Sequence, residues 1–310
     1  MHEHIARAIY YFSVHLLYAS IAGSAVWALT SIRAASATAK YWIWVVTAFN
    51  FVVPSEAVID KVWGQHLTWA RPLSAFGGAI WDMTEGGTAV ALSVTWMAGA
   101  VFMLTRLISR LRKERQEGQV AARIHDCGAT SDFVADGVPV IFGERHLGPA
   151  VRGLLYPRIL LPAGIDRLLN PREFHAVLIH ELVHARRRDN LIRLLHEVSL
   201  CVLWFHPLIW LAGARIGLYR ELSCDESVIR CAHGQALVSA LAKLAVPEQT
   251  GFLEATASSH LSYRLGRLTG PAPTTHRAAN LILTSLFAAV LAAGIFQTIA
   301  HTACCFVLKR

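Results

Sequence analysis

The sequence predicts a mainly α membrane protein, with four transmembrane helices and an α+β region between the third and the fourth. Three observations lead there. Of 310 residues, 54% are hydrophobic and only 16% charged, which is too apolar for a water-soluble chain of this size. The apolar residues come in blocks long enough to cross a bilayer, rather than in one oversized core. Between the last two blocks lies a long stretch with polar loops, short strand-like runs and amphipathic helices. This divides the chain into an N-terminal membrane region (1–111), a cytoplasmic domain (112–277) and a last span with a short tail (278–310).

The first span covers about residues 9–29. It is nearly free of charge, and Tyr10, Tyr11 and Trp27 lie near its ends, where amphipathic aromatics favour the interface. It is too long for a signal-peptide core and is followed by Ser-Ile-Arg, so it reads as a retained span. The second covers about 41–58, entered at Trp42 and Trp44 and bent or ended at Pro54. A tryptophan-bearing loop, 60–87, leads to the third span at about 88–108. The fourth lies at about 278–300.

Lys and Arg set the topology. Arg33 and Lys40 follow span one, Arg106, Arg110, Arg112, Lys113 and Arg115 follow span three, and Arg264, Arg267 and Arg277 precede span four. Fewer cations lie on the other side: Arg7, Lys61, Arg71, Lys309 and Arg310. Both termini are therefore expected outside the membrane, with 109–277 in the cytoplasm. The net charge of +8 sits beside apolar segments, which suits a membrane face better than a nucleic-acid groove, and no direct nucleic-acid binding is expected. The six cysteines form no C-x-x-C pair and no disulfide framework.

Within the cytoplasmic region, 138–142 and 158–161 read as short strands bounded by glycine and proline. Asn170-Pro171-Arg172-Glu173 reads as a helix start: N-cap, proline at the first helical position and capping-box acid. Asp189-Asn190 breaks or bends that helix. Residues 198–211 look apolar enough for a fifth crossing, but fourteen residues at ~1.5 Å each fall short of a ~30 Å hydrocarbon layer. They read as a core helix or re-entrant hairpin broken at Pro207.

The chemistry centres on His180-Glu181-Leu182-Val183-His184. Residues four apart share a helix face, so His180 and His184 can present two imidazoles to one ion, with Glu181 beside them as general base. A catalytic zinc takes three protein ligands and keeps one open position. Glu221, on a later helix, is the expected third ligand. Asp225, four residues on, is placed to accept the free ring N–H of a ligand histidine. This is a thermolysin-like (gluzincin) set, holding one Zn2+ per chain. Cys224 is an alternative thiolate ligand, although a small core residue is its plainer role. His206, Arg220 and His233 are candidates for steadying an oxyanion, and the strand at 158–161 for pairing with extended substrate.

These motifs resemble the BlaR/MecR-type membrane zinc metallopeptidases, the antirepressor family of β-lactam sensor-transducers. The resemblance rests on Gly153 to Pro162, on His180 to Asp189, on Phe205-His206-Pro207-Leu208-Ile209-Trp210 and on Glu221 to Asp225. It implies three spans, a cytoplasmic zinc protease region and a fourth span, with zinc on His180, His184 and Glu221 and Glu181 catalytic. About ten residues follow the fourth span, with no Ser-x-x-Lys site among them, so a stand-alone form lacking the penicillin-binding sensor domain is expected. The implied partners are the lipid bilayer and a protein substrate, either a regulator such as a transcriptional repressor or the chain itself. The oligomeric state is left open. Two alternatives stand beside this one: a quality-control metalloprotease of the Ste24/HtpX kind, and a non-catalytic signalling protein with a structural zinc site.

Overall fold

A computed structural model describes residues 2–31, 35–52, 87–125, 133–143, 148–231, 233–244, 263–269 and 278–289. The tryptophan loop up to residue 86, the end of the second expected span with Pro54, the second half of the fourth expected span and Cys304-Cys305 lie outside the described residues. The described part is mostly helical with one small sheet. Its elements are α1 (His2–Thr30), α2 (Ala37–Val52), α3 (Gly87–His125), β1 (Phe133–Ala135), β2 (Val138–Gly143), β3 (Ala150–Arg152), β4 (Arg158–Pro162), α4 (Ile165–Leu168), α5 (Pro171–Arg187), α6 (Asp189–Val202), α7 (Pro207–Arg230) and α8 (Gly234–Leu244). Two further helical stretches, α9 (263–269) and α10 (Ala278–Ala289), follow.

One described helix, over Thr88–Gln116, is long and apolar enough to cross a membrane; His15–Thr30 and Ala278–Ala289 are apolar but shorter. Val94, Met97, Val101 and Phe102 on α3 are exposed, as side chains facing lipid would be. The helix does not stop where apolarity stops. It runs on to His125, across the expected domain boundary at 111, for 39 residues in all and about 58 Å. Arg, Lys, Glu and Gln are strong helix formers, and Arg110 and Glu114 pair one turn apart at 3.7 Å, so the charged segment keeps the helical geometry.

The sheet has the order β1-β2-β4-β3. β1 and β2 form a hairpin through Asp136-Gly137, both at positive φ (52° and 80°), as an Asp-Gly turn of this kind requires. β2 and β4, the two strands legible in the sequence, run parallel, and β3 closes the far edge antiparallel to β4. The strand at 158–161 is therefore interior, hydrogen-bonded on both sides. Its expected pairing with substrate does not hold, and the edge strands of this sheet are β1 and β3.

Two apolar clusters organise the described residues. One joins α1, α2, the α6–α7 hairpin and α10 through Tyr41, Trp44, Phe51, Leu203, Ile209 and Leu283. The other joins the sheet to α5 and α8 through Val140, Ile159, Leu161, Val177 and Leu237. α7 enters both, with Ile216 and Leu222 in the first and Val228 in the second. α6 ends at Val202 and α7 begins at Pro207, so the apolar stretch at 198–211 is a broken hairpin, as its length predicts. α3 packs against this hairpin. Trp96 Nε1 donates to the Val202 carbonyl at 2.8 Å, and a Cβ on Gly99 would overlap the Trp204 indole.

Candidate metal centre

α5 presents the histidine pair. Asn170 Oδ1 accepts from the Arg172 and Glu173 amides at 3.0 and 2.9 Å, and Glu173 Oε2 accepts from the Asn170 amide at 2.8 Å, a complete capping box. Lys243 and Ser239 of α8 also hold Glu173, at 2.7 and 2.5 Å, so α8 is tied to the helix start. With the start fixed, Ala176 and Val177 face the sheet. His180 and Glu181 follow on the buried side and turn towards a cleft of about 760 Å³. His180, Glu181, His184 and Glu221 all line that cleft.

The two imidazoles meet through Nε2, 3.2 Å apart. Glu221 of α7 faces both, with Oε2 3.5 Å from His180 Nε2 and Oε1 3.8 Å from His184 Nε2. Each outer ring nitrogen has an acid beside it. His184 Nδ1 lies 2.6 Å from Asp189 Oδ2. His180 Nδ1 lies 3.2 Å from Asp225 Oδ1, within ion-pair range though not aligned as a hydrogen bond. If both Nδ1 atoms carry their protons towards these acids, two bare Nε2 lone pairs and a carboxylate point at one spot. Such a set is repulsive unless a proton or a cation lies among them. Donors ~2.0–2.2 Å from a common zinc stand about 3.3 Å apart at tetrahedral angles, so the three fit the ion in chemistry and in spacing.

The electrostatics agree. Burial opposes a charged His180, yet Asp225 and Glu221 hold its imidazole up at about 9, so without another cation a proton remains there. Burial likewise opposes ionisation of Glu221, but His180, His184 and Arg220 outweigh it and keep the carboxyl well below its usual range. Burial pushes the Glu181 carboxyl up, and the two imidazoles only partly offset this.

Cys224 makes a second grouping with the histidines, one donor atom from each lying within 4.8 Å of the others. Its sulfur, however, approaches Nδ1 of His184 (3.6 Å), the edge already taken by Asp189. Burial raises its thiol well above the ordinary range, which disfavours the thiolate that metals bind. Glu221 is the better third donor.

Two residues of the centre escaped the sequence reading. Asp189, expected only to break the helix, is buried and gathers His184, both Arg187 Nε (2.6 Å) and Nη2 (2.7 Å), and the Tyr41 hydroxyl (2.8 Å). Arg264 of α9, counted only for topology, donates to both oxygens of Asp225 at 2.8 and 2.9 Å and lies 3.3 Å from Glu221. Of the three oxyanion candidates, Arg220 lines the cleft and bonds Glu221 at 3.0 Å. His206 instead bonds Ser20 at 3.0 Å, and His233 meets His175 edge-on. β3 lines the cleft, and Asn190 donates to its Val151 carbonyl at 2.8 Å and to Gly153 at 3.3 Å.

A family model described as BlaR1 peptidase M56 matches residues 12–266. The regulatory protein BlaR1 of Bacillus licheniformis is 29% identical over 178 residues, covering 54% of this chain and 28% of that protein. The methicillin resistance mecR1 protein of Staphylococcus aureus is 22% identical over 142 residues, 44% of this chain and 24% of that protein, and the mecR1 protein of Staphylococcus epidermidis matches equally. The chain spans about a quarter of the length of the curated relatives it matches.

Proposed function

The chain belongs to the BlaR1 peptidase M56 family, and from that premise we propose that it is an integral-membrane zinc endopeptidase that cleaves a cytoplasmic regulatory protein or itself. The observation that carries the proposal is the meeting of His180 Nε2, His184 Nε2 and the Glu221 carboxylate at the wall of a cleft that Glu181 also lines. His180, His184 and Glu221 would hold the ion, with Asp225 and Asp189 orienting the two rings. Zinc bound there supplies Lewis acidity, polarising a peptide carbonyl and making water acidic enough to lose a proton near neutral pH.

The chain does the rest. Glu181 takes the proton of the attacking water and passes it to the leaving amine nitrogen. Its buried setting, which raises its proton affinity, suits a group that must both accept and return a proton. Extended substrate pairs with the outer edge of β3, where Asn190 now holds the Val151 and Gly153 carbonyls. A regulatory role is supported by the names of the relatives, a regulatory protein and a methicillin resistance protein. The multi-pass placement rests on the cation distribution and on the exposed apolar face of α3.

Full-length protein in detergent tests the reading. Wild type and Glu181→Ala are compared for zinc content and for cleavage of casein or of the chain itself. The expected result is equal zinc with activity lower by about 10²–10⁴-fold in the variant, the usual contribution of a general base. Equal activity would end the mechanism, and zinc missing from both would remove the site.

A further inference from the structure

We propose that Tyr41 of α2 is a positioning residue for His184, acting through Asp189, so that the second helix is built into the metal centre. The inference rests on the zinc reading above and adds to it an element far from it in sequence. Tyr41 is fully buried, and its hydroxyl donates to Asp189 Oδ1 at 2.8 Å. Asp189 Oδ2 in turn bonds His184 Nδ1 at 2.6 Å. The Arg187 guanidinium grips both Asp189 oxygens and lies over the Tyr41 ring, 4.1 Å from its centre.

Arg187 and Asp189 flank one helix junction and can shift together with it. What holds that pair in space comes from other elements. From α7, the Ser223 hydroxyl accepts from Arg187 Nη1 at 2.8 Å and the Arg220 carbonyl from Nη2 at 3.2 Å. From α2, Tyr41 is the group that reaches Asp189. The start of α2 is itself pinned to α7. The Ala37 amide donates to both oxygens of Glu226 at 2.9 and 3.0 Å, and the hydroxyls of Thr38 and Ser223 meet at 2.9 Å. A phenol in this place fixes the carboxylate, and the carboxylate fixes which way the His184 ring presents Nε2. A carboxylate partner of a metal-bound histidine is worth about 10–100-fold in metal affinity, so a donor one step further out should be worth about three- to tenfold.

The experiment is a double-mutant cycle read as zinc affinity, by chelator competition on the full-length protein in detergent. Tyr41→Phe is expected to weaken zinc about three- to tenfold in the wild-type background and to add nothing in an Asp189→Asn background. An unchanged affinity in Tyr41→Phe, or effects that add in full, overturns the inference; a merely structural tyrosine would give one of these. Wild type that takes up no zinc overturns the metal centre as well, so the two failures are distinguishable. Should Tyr41→Phe not fold, fluorotyrosine at position 41 of the otherwise unchanged chain gives a second measurement. Its 19F resonance is expected to shift when a chelator removes zinc, because the hydroxyl lies one carboxylate away from the His184 ring, and a resonance that stays in place overturns the inference.

Discussion

Arg264 bridges two acids of the centre, and its removal is the sharpest test of how the charges balance. Without it Asp225 and Glu221 remain in place with a cation missing, and breaking a buried pair in this way costs about 3–5 kcal/mol. Zinc supplies positive charge at the same spot. Arg264→Ala is therefore expected to lower the melting temperature strongly in chelator and much less with zinc added; equal losses under both conditions would count against the charge balance. The HExxH spacing makes His180, Glu181 and His184 legible from sequence, because residues four apart share a helix face whatever the fold. Glu221 and Asp225 are legible for the same reason on a second helix. Asp189 is not, because it lies five residues past His184 and reaches back only through a left-handed residue at Arg188. Arg264 and Tyr41 are not either, since nothing local to them signals a tertiary partner 39 or 148 residues away.

Among the elements, α5 depends on its two ends. At the start, hydrogen bonds from Lys243, Ser239 and the Asn170 amide hold the Glu173 carboxyl down at about 2, against an ordinary value of 4.5. A depressed carboxyl contributes stability that is present above its unfolded value and lost as pH falls towards the folded one. The melting temperatures of wild type and Glu173→Gln should therefore differ most at neutral pH and draw together below about pH 4.5. A gap that widens on acidification would refute this account. At the other end Arg188 has φ 55°, ψ 47°, and this left-handed residue separates α5 from α6. Arg188→Val should cost about 1–2 kcal/mol in denaturant titration, while Arg188→Gly should not destabilise. The start of α5 was readable because Asn-Pro-Arg-Glu is a local signal. The length of α3 was not, because apolarity marks where lipid ends and says nothing of where the helix ends. β1 and β3, three residues each, are too short to show a period and exist only through their partners.

At the scale of the whole molecule, the candidate metal centre lies at the seam of two apolar clusters that share α7. Orientation in the membrane is testable directly. A reporter inserted after residue 128 is expected to report cytoplasm, and one inserted at residue 70 to report the opposite side; the reverse pattern would place the centre outside the cell. The mainly helical class and the apolar run of α3 were readable because a block of apolarity is a property of the chain itself. The seam was not, since it depends on how α7 is shared. α3 touches both halves of the molecule. It meets Trp204 at Gly99, and further along it lines the cleft with Leu111, Glu114 and Arg115, where Glu114 bonds Arg193 at 2.8 Å. A rod pinned to the hairpin at Trp96 and Gly99 and to the cleft wall at Glu114 makes hairpin and cleft one mechanical piece, so neither end can shift without the other.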